Sequence, residues 1–276
     1  MTTLYLWNNG PRAHVLLCRP IVRAAVSTGR FDVVFGACRD DVRLLLDLEG
    51  PRCRIVASDY ANTVHGAVLD LAALTPTGAI GIDVWLGGPG PAPSLQWEDV
   101  LAAFRASLAD HGLDSALPCS PDDVPMLDFA FDERALGPTP RLRRPSILLD
   151  TCRDAADASW FGFDFDRLSR VLDAFDLLCT APPPIQRDNL VDVSALSPLA
   201  RARLSEHCEL LIGRTFDPFV LTLTEPNRFK PKALCGYDAR VTRPPWDYPG
   251  NPLELIATMD DLVDFAIAQV GAGALR

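Results

Sequence analysis

The loop that follows the first predicted strand carries the residues best suited to acid-base chemistry. Asn8, Asn9, Arg12 and His14 lie there, directly before or within the start of a predicted helix. Backbone N–H groups and the helix dipole at such a position favour an anion or a reacting oxygen. His14 has an ordinary pKa near neutrality, so its imidazole can accept a proton from a hydroxyl group. The alternative is that His14 only caps or packs the start of the helix.

A second set of polar residues follows two predicted strands in the other half of the chain. Arg153 follows the first of these strands, and Arg214, Thr215 and Asp217 follow the second. A guanidinium group can contact phosphate bidentately, and a threonine hydroxyl adds a donor. We therefore expect these two loops to hold a nucleotide diphosphate, unless the arginines are simply solvated.

Two further candidates lie beyond these loops. Lys230 and Lys232 are the only lysines in a chain whose other basic residues are arginines, which makes Lys230 a candidate phosphate ligand. Glu225, a few residues earlier, can either bind ribose hydroxyls or cap its loop. The sequence does not decide between these roles.

Several familiar catalytic motifs are missing from the sequence. It contains no G-x-S-x-G nucleophile elbow, no G-x-x-x-x-G-K-[ST] phosphate loop and no H-E-x-x-H zinc motif. The eight cysteines are scattered singly, without a C-x-x-C pair, as expected for buried thiols in a reducing compartment. We therefore expect no metal and no cofactor.

The elements that must position these residues alternate between short apolar runs and helix-period segments, which is typical of parallel βαβ units. Predicted strands are residues 4–7, 31–37, 54–57, 79–86, 146–150, 177–180, 190–193, 210–213 and 232–235, the last of these being the final strand. Predicted helices are residues 13–28, 40–48, 62–74, 97–111, 164–174, 198–207 and 259–270, and a further helix is expected after residue 218. The helix at 13–28 contains Pro20 and is expected to be kinked or to start late.

The alternation breaks down between about residues 113 and 145, where prolines and arginines accumulate. We predict an N-terminal Rossmann-like domain at residues 1–140 and a C-terminal one at residues 141–276. The predicted fold class is α/β, with two parallel-sheet domains that face each other across a cleft. An open parallel sheet binds ligands at the carboxyl ends of its strands, so a ligand is expected in this cleft.

The charge balance limits the partners. The net charge is -10, from 26 basic and 36 acidic residues, and such a field repels nucleic acid and anionic membrane surfaces. The N-terminal residues lack the pattern of a signal peptide, and no run of 18 apolar residues occurs. We therefore expect a cytoplasmic protein without a membrane span.

Residues 13–24, followed by residues 31–34, resemble the opening of heptosyltransferase-like glycosyltransferases with the GT-B fold. In the second half, residues 189–193, 208–213 and 231–236 are similar to the donor-binding domain of that family. The resemblance implies metal-independent transfer of a sugar from a nucleotide-sugar donor to an acceptor hydroxyl. It implies donor binding by Arg153, Arg214, Thr215, Asp217, Glu225 and Lys230, and acceptor binding by Asn8, Asn9 and Arg12.

The sequence departs from the family at two places. His14 stands at the position of the family's catalytic acidic residue, and residues 214–220 lack the histidine of the family's donor loop. Either His14 replaces the carboxylate as the base, or the protein binds a nucleotide or sugar ligand without transferring it. A third hypothesis, a nicotinamide-dependent oxidoreductase, is disfavoured because no G-x-G-x-x-G motif occurs.

Overall fold

The chain divides into two compact units, which are described separately. The structure is a computed structural model that describes residues 2–8, 12–57, 70–83, 96–113, 117–131, 140–151, 161–214, 219–236 and 243–273. The first unit comprises Met1–Leu127 and Pro245–Tyr248, and the second comprises Asp128–Pro244 and Pro249–Arg276. The structure divides the chain after Leu127, whereas the sequence analysis placed the boundary after residue 140.

The first unit contains a sheet of four parallel strands. They are β1 (Thr2–Trp7), β2 (Phe31–Ala37), β3 (Cys53–Ala57) and β4 (Ile80–Asp83), and their order in the sheet is β3-β2-β1-β4. Apolar side chains of β1 and β2, among them Leu4, Leu6 and Phe35, are fully buried. Gly36 lets the indole of Trp7 pack against the backbone of β2, because a Cβ atom there would lie 2.1 Å from Trp7 Cε3.

The helical segment after β1 is broken into two helices. α1 spans Arg12–Leu17 and α2 spans Arg19–Ser27, with Cys18 between them. Pro20 lies in the first turn of α2, where its missing N–H group costs no helix hydrogen bond. The interruption expected from Pro20 is confirmed as a break at Cys18, two residues before the proline.

The helix predicted at residues 40–48 is wrong as a continuous element. The structure has a short α3 (Arg39–Val42) and a separate 3-10 helix at Leu46–Leu48. The guanidinium of Arg19 donates to the carbonyl oxygen of Leu44 and to both carboxylate oxygens of Asp47. In a regular helix the Leu44 carbonyl oxygen would accept a backbone hydrogen bond from a residue four positions later. Here it accepts a hydrogen bond from Arg19 instead.

The rest of the first unit follows the predictions in outline. α4 spans Leu71–Leu74 and α5 spans Trp97–Ala109. Gly112, three residues after the end of α5, has a φ of 67°. A left-handed glycine is a common helix stop, so the predicted end of this helix is confirmed. The helix predicted at 62–74 is wrong as a continuous element, because α4 begins after Asp70, whose side chain caps it. Residues 62–69 and 84–86 of the expected helix and strand fall outside the described residues.

The second unit contains a sheet of six parallel strands. They are β5 (Ser146–Asp150), β6 (Asp176–Cys179), β7 (Leu190–Asp192), β8 (Leu210–Gly213), β9 (Lys232–Cys235) and β10 (Leu253–Ile256). Their order is β10-β9-β8-β5-β6-β7. The sequence analysis took β9 as the last strand and missed β10, a short edge strand with exposed Glu254 in the middle of its apolar run.

The α-helices in the described residues of the second unit are α6 (Phe165–Val171), α7 (Pro198–Ser205) and α8 (Met259–Gly273). α6 and α7 begin at Asp164 and Ser197, whose side chains accept hydrogen bonds from backbone N–H groups of the first turn. The helix expected after residue 218 is instead two 3-10 helices, Val220–Thr222 and Glu225–Asn227. None of the helices in the described part of the chain has the length and apolar character needed to cross a bilayer.

Candidate functional site

The strand order of each sheet points to one place on its carboxyl edge. In the first sheet the order reverses between β1 and β4, and in the second sheet it reverses between β5 and β8. Loops that leave neighbouring strands at such a point diverge to opposite faces and leave a crevice, which is where open α/β sheets bind ligands. The loops after β1 and β4, and after β5 and β8, are therefore the candidate ligand-binding loops of the two units.

Asn8 and Arg12 are held at the carboxyl edge of the first sheet. Asn8 follows β1 directly and is buried; its backbone N–H donates to Gly36 and its side-chain amide donates to Cys18 Sγ at 3.4 Å. Arg12 Nε lies 2.8 Å from Asp41 Oδ1 in a partly buried ion pair. Asp41 belongs to α3, directly after β2, so this ion pair joins the segments that follow two neighbouring strands.

Asp41 was missed by the sequence analysis, which treated it only as part of a helix. The available signal was an acidic pair, Asp40 and Asp41, close behind an apolar strand. The sequence cannot show that Asp41 meets Arg12, because the contact spans 29 positions and depends on which strands are neighbours.

His14 lies in α1 with only 4% of its surface exposed. Burial lowers the pKa of His14 to about 4, because the protonated ring loses its hydration. The imidazole is therefore neutral near pH 7, with one nitrogen able to accept a proton or a hydrogen bond. In this state His14 is a weaker base than a solvated histidine.

Arg214 lies at the carboxyl edge of the second sheet. It follows β8 directly, its backbone N–H donates to the carbonyl oxygen of Asp150 at 3.1 Å, and its Nη2 donates to the carbonyl oxygen of Phe161. Arg214 is 6% exposed. The backbone of Arg214 is thus bonded to the end of β5, at the point where the strand order reverses, and the guanidinium is held by the carbonyl oxygen of Phe161.

Gly213 and Phe219 shape the backbone next to Arg214. A Cβ atom on Gly213 would lie 2.4 Å from Cδ2 of Phe219, whose ring is fully buried. Only glycine permits this close approach, so β8 ends against the ring at a fixed distance. The position of Arg214 depends on this packing.

A reciprocal set of hydrogen bonds joins the ends of β5 and β6. Thr180 Oγ1 donates to Asp150 Oδ1 at 2.6 Å and accepts the backbone N–H of Thr151 at 3.0 Å. Thr151 Oγ1 in turn accepts the backbone N–H of Ala181 at 3.1 Å. Asp150, Thr151 and Thr180 are all buried. We call this set the β5–β6 clasp; the sequence analysis singled out none of its residues.

Glu225 and Lys230 lie at the opposite edge of the second sheet from Arg214. Both precede β9, whose amino end is Lys232, and Lys230 Nζ donates to the carbonyl oxygen of Glu206 at 2.6 Å, at the end of α7. Glu225 is exposed and pairs with Arg228 at 3.1 Å. Because β8 and β9 are parallel, the chain between them must return from the carboxyl edge to the amino edge. The structure therefore does not bring these two residues to Arg214, and we leave them out of the candidate site.

The remaining sequence candidates, Asn9, Arg153, Thr215 and Asp217, fall outside the described residues. Within the described ranges, no group of three or more histidine, cysteine or acidic side chains is arranged to hold a metal ion.

Solved structures, but not sequence comparisons, reveal proteins that are similar to this chain. No protein-family model matches the sequence, and no curated protein is significantly similar to it. Among solved structures, the E. coli ADP-heptose LPS heptosyltransferase II superimposes with a TM-score of 0.62 at 12% identity, over 99% of this chain and 100% of that one. A glycosyl transferase family 9 protein from Veillonella parvula gives a TM-score of 0.60 at 10% identity, over 100% of this chain and 89% of the other.

The E. coli heptosyltransferase WaaC with ADP gives a TM-score of 0.53 at 11% identity, over 97% of this chain and 100% of that one. This chain has a GT-B-type fold. The expected fold class, two parallel-sheet α/β units, is thereby confirmed, and the resemblance found in the sequence extends to the structure along the whole chain.

Proposed function

We propose that the protein is a glycosyltransferase that moves a sugar from a nucleotide-sugar donor to an acceptor hydroxyl without a metal ion. The observation that carries the proposal is the anchored position of Arg214 at the carboxyl edge of the second sheet, where the strand order reverses. A GT-B-type fold along the whole chain supports it, as does the ADP named with one of the similar structures.

The donor diphosphate binds, in this proposal, to the loops that follow β5 and β8. Arg214 contacts a phosphate group through its guanidinium, and Arg153, Thr215 and Asp217 act from the same loops. The bond between the anomeric carbon and the diphosphate oxygen breaks with its electron pair on the diphosphate. Positive charge fixed near this oxygen stabilises the developing negative charge, so no step is assigned to a metal.

The acceptor binds at the carboxyl edge of the first sheet, oriented by Asn8, Asn9 and Arg12. Its hydroxyl oxygen attacks the anomeric carbon, and the hydroxyl proton passes to the ring of His14. Burial disfavours the imidazolium that forms. An anionic ligand close to the ring would favour it and raise the pKa of His14 toward the working pH.

A second candidate is a protein of the same fold that binds a nucleotide or sugar ligand without transfer. The pKa of His14, lowered by burial to about 4, favours this candidate because a good general base titrates near the working pH. The two candidates share the donor site when the ligand is a nucleotide, and they then differ in turnover.

Calorimetric titration with nucleoside diphosphates and nucleotide-sugars tests the donor site. We expect one nucleotide to bind selectively and Arg214→Gln to weaken it by about tenfold or more, as expected for losing a charge-assisted contact. Glu225→Gln is the control, since Glu225 is exposed at the opposite edge of the sheet. Equal binding by wild type and Arg214→Gln would refute the assigned donor site.

Release of nucleoside diphosphate from the bound donor separates the two candidates. If the protein is a transferase, His14→Ala abolishes turnover in the presence of acceptor and leaves donor affinity nearly unchanged. Unchanged turnover would remove His14 from the mechanism. Selective donor binding without any hydrolysis or transfer would favour the non-catalytic candidate.

A further inference from the structure

The β5–β6 clasp engages two backbone N–H groups on the β6 side of β5, at the carboxyl edge of the second sheet. Backbone N–H groups that follow parallel strands are common phosphate ligands, and Thr151 and Ala181 offer two of them. Both are already bonded to threonine hydroxyl oxygens of the neighbouring strand end. The hydroxyl proton of Thr180 is committed to Asp150. An anion would have to break these hydrogen bonds before it could use either N–H group.

The other side of β5 is built differently. There the neighbour is β8, whose ladder with β5 is followed by a backbone hydrogen bond from the Arg214 N–H to the carbonyl oxygen of Asp150, and the Arg214 guanidinium donates to the carbonyl oxygen of Phe161. Asp150 thus takes part in both arrangements: its side chain belongs to the clasp, and its carbonyl oxygen receives the N–H of Arg214. Displacing Asp150 would move the start of the β5 loop and the start of the β8 loop together.

We propose that Thr180, acting through Asp150, is a positioning residue for the donor diphosphate. It holds Thr151, the first residue after β5, so that a diphosphate is received on the β8 side of β5. The role rests on the proposed function, because it presumes a nucleotide at this edge. Thr180 itself does not touch the ligand.

Because the β5–β6 clasp is buried, removing the Thr180 hydroxyl should disturb the ends of both strands. Asp150 is 4% exposed and Thr180 is 2% exposed. Removing the Thr180 hydroxyl takes a donor from a buried carboxylate and an acceptor from the N–H of Thr151 at the same time. Buried polar groups left without partners are costly, so the strand ends are expected to rearrange.

Three variants test the proposal. Thr180→Val keeps the shape but removes the hydroxyl, Thr180→Ser restores it, and Ser205→Ala removes another fully buried hydroxyl, at the end of α7 on the opposite edge of the sheet. The probes are ADP and whichever nucleotide of the calorimetric panel the wild type prefers. Thermal unfolding of each variant reports its stability, and NMR amide exchange reports the N–H groups of Thr151 and Ala181.

We expect Thr180→Val to weaken nucleotide binding by about tenfold, which corresponds to one buried hydrogen-bonded group. Exchange of the Thr151 and Ala181 amides should accelerate in this variant. Thr180→Ser should recover affinity and protection, and Ser205→Ala should change neither, even at a similar loss of thermal stability.

The alternative results separate the two proposals. If the wild type and all variants bind no nucleotide while amide protection follows the predicted pattern, the proposed function fails and the positioning role fails with it. If nucleotide binds equally to wild type and Thr180→Val, only the positioning role is refuted. An equal loss of affinity in Ser205→Ala would also refute it, because the effect would then reflect general stability.

Discussion

The burial of His14 makes the stability of the protein depend on pH in a direction that can be worked out. The pKa of His14 is about 4 in the folded protein and 6.5 in the unfolded chain. Between pH 6.5 and pH 4, His14 is protonated in the unfolded chain but neutral in the folded protein. The free energy of unfolding therefore decreases as the pH falls from about 6.5 to 4. The full shift corresponds to about 3 kcal/mol, and the part expressed between pH 8 and pH 5 to about 2 kcal/mol.

Urea unfolding of wild type and His14→Gln at pH 8 and pH 5 measures the contribution of His14 to the pH dependence of the free energy of unfolding. The glutamine variant keeps a polar side chain that does not titrate, so contributions of all other groups cancel when the two pH dependences are subtracted. We expect the wild type to lose about 2 kcal/mol more than the variant over this interval. An identical loss in both proteins would refute the inference that the His14 ring is desolvated.

Three further perturbations follow from the packing. Gly213→Ala should destabilise the protein by about 1–3 kcal/mol in urea unfolding, since its Cβ would meet the Phe219 ring, and Phe219→Leu should recover part of the loss. Asp47→Asn should cost about 3 kcal/mol in the same assay because Arg19, which is fully buried, loses its bidentate partner; a loss below about 1 kcal/mol would contradict this. Burial lowers the pKa of Lys232 to about 7 from 10.5, so wild-type stability should rise by about 1.4 kcal/mol per pH unit between these values, and Lys232→Met should flatten that rise.

The sequence was sufficient for features that arise within a few residues of each other. Apolar runs gave most of the strands, the kink near Pro20 followed from its missing N–H group, and the helix before Gly112 ended where a glycine permits a left-handed backbone. The placement of Arg214 directly after a strand was likewise readable from the chain, as was the α/β class.

The sequence analysis failed where contacts between distant segments outweigh local preference. A long helix was predicted at residues 40–48, but the buried guanidinium of Arg19 holds the Leu44 carbonyl and Asp47, and the segment breaks there. β10 was missed because it is only four residues long and Glu254 interrupts its apolar residues, and its pairing with β9 is what defines it.

The candidate site also combines features that are local in sequence with contacts between distant segments. The sequence by itself determined which residue types follow the strands, because periodicity and turn residues are local. Only the tertiary structure decided that Arg12 meets Asp41, that Asp150 is clasped by Thr180, and that Lys230 lies across the sheet from Arg214. The physical reason is that strand order and crossover direction set these distances, and both depend on packing between segments far apart in the chain.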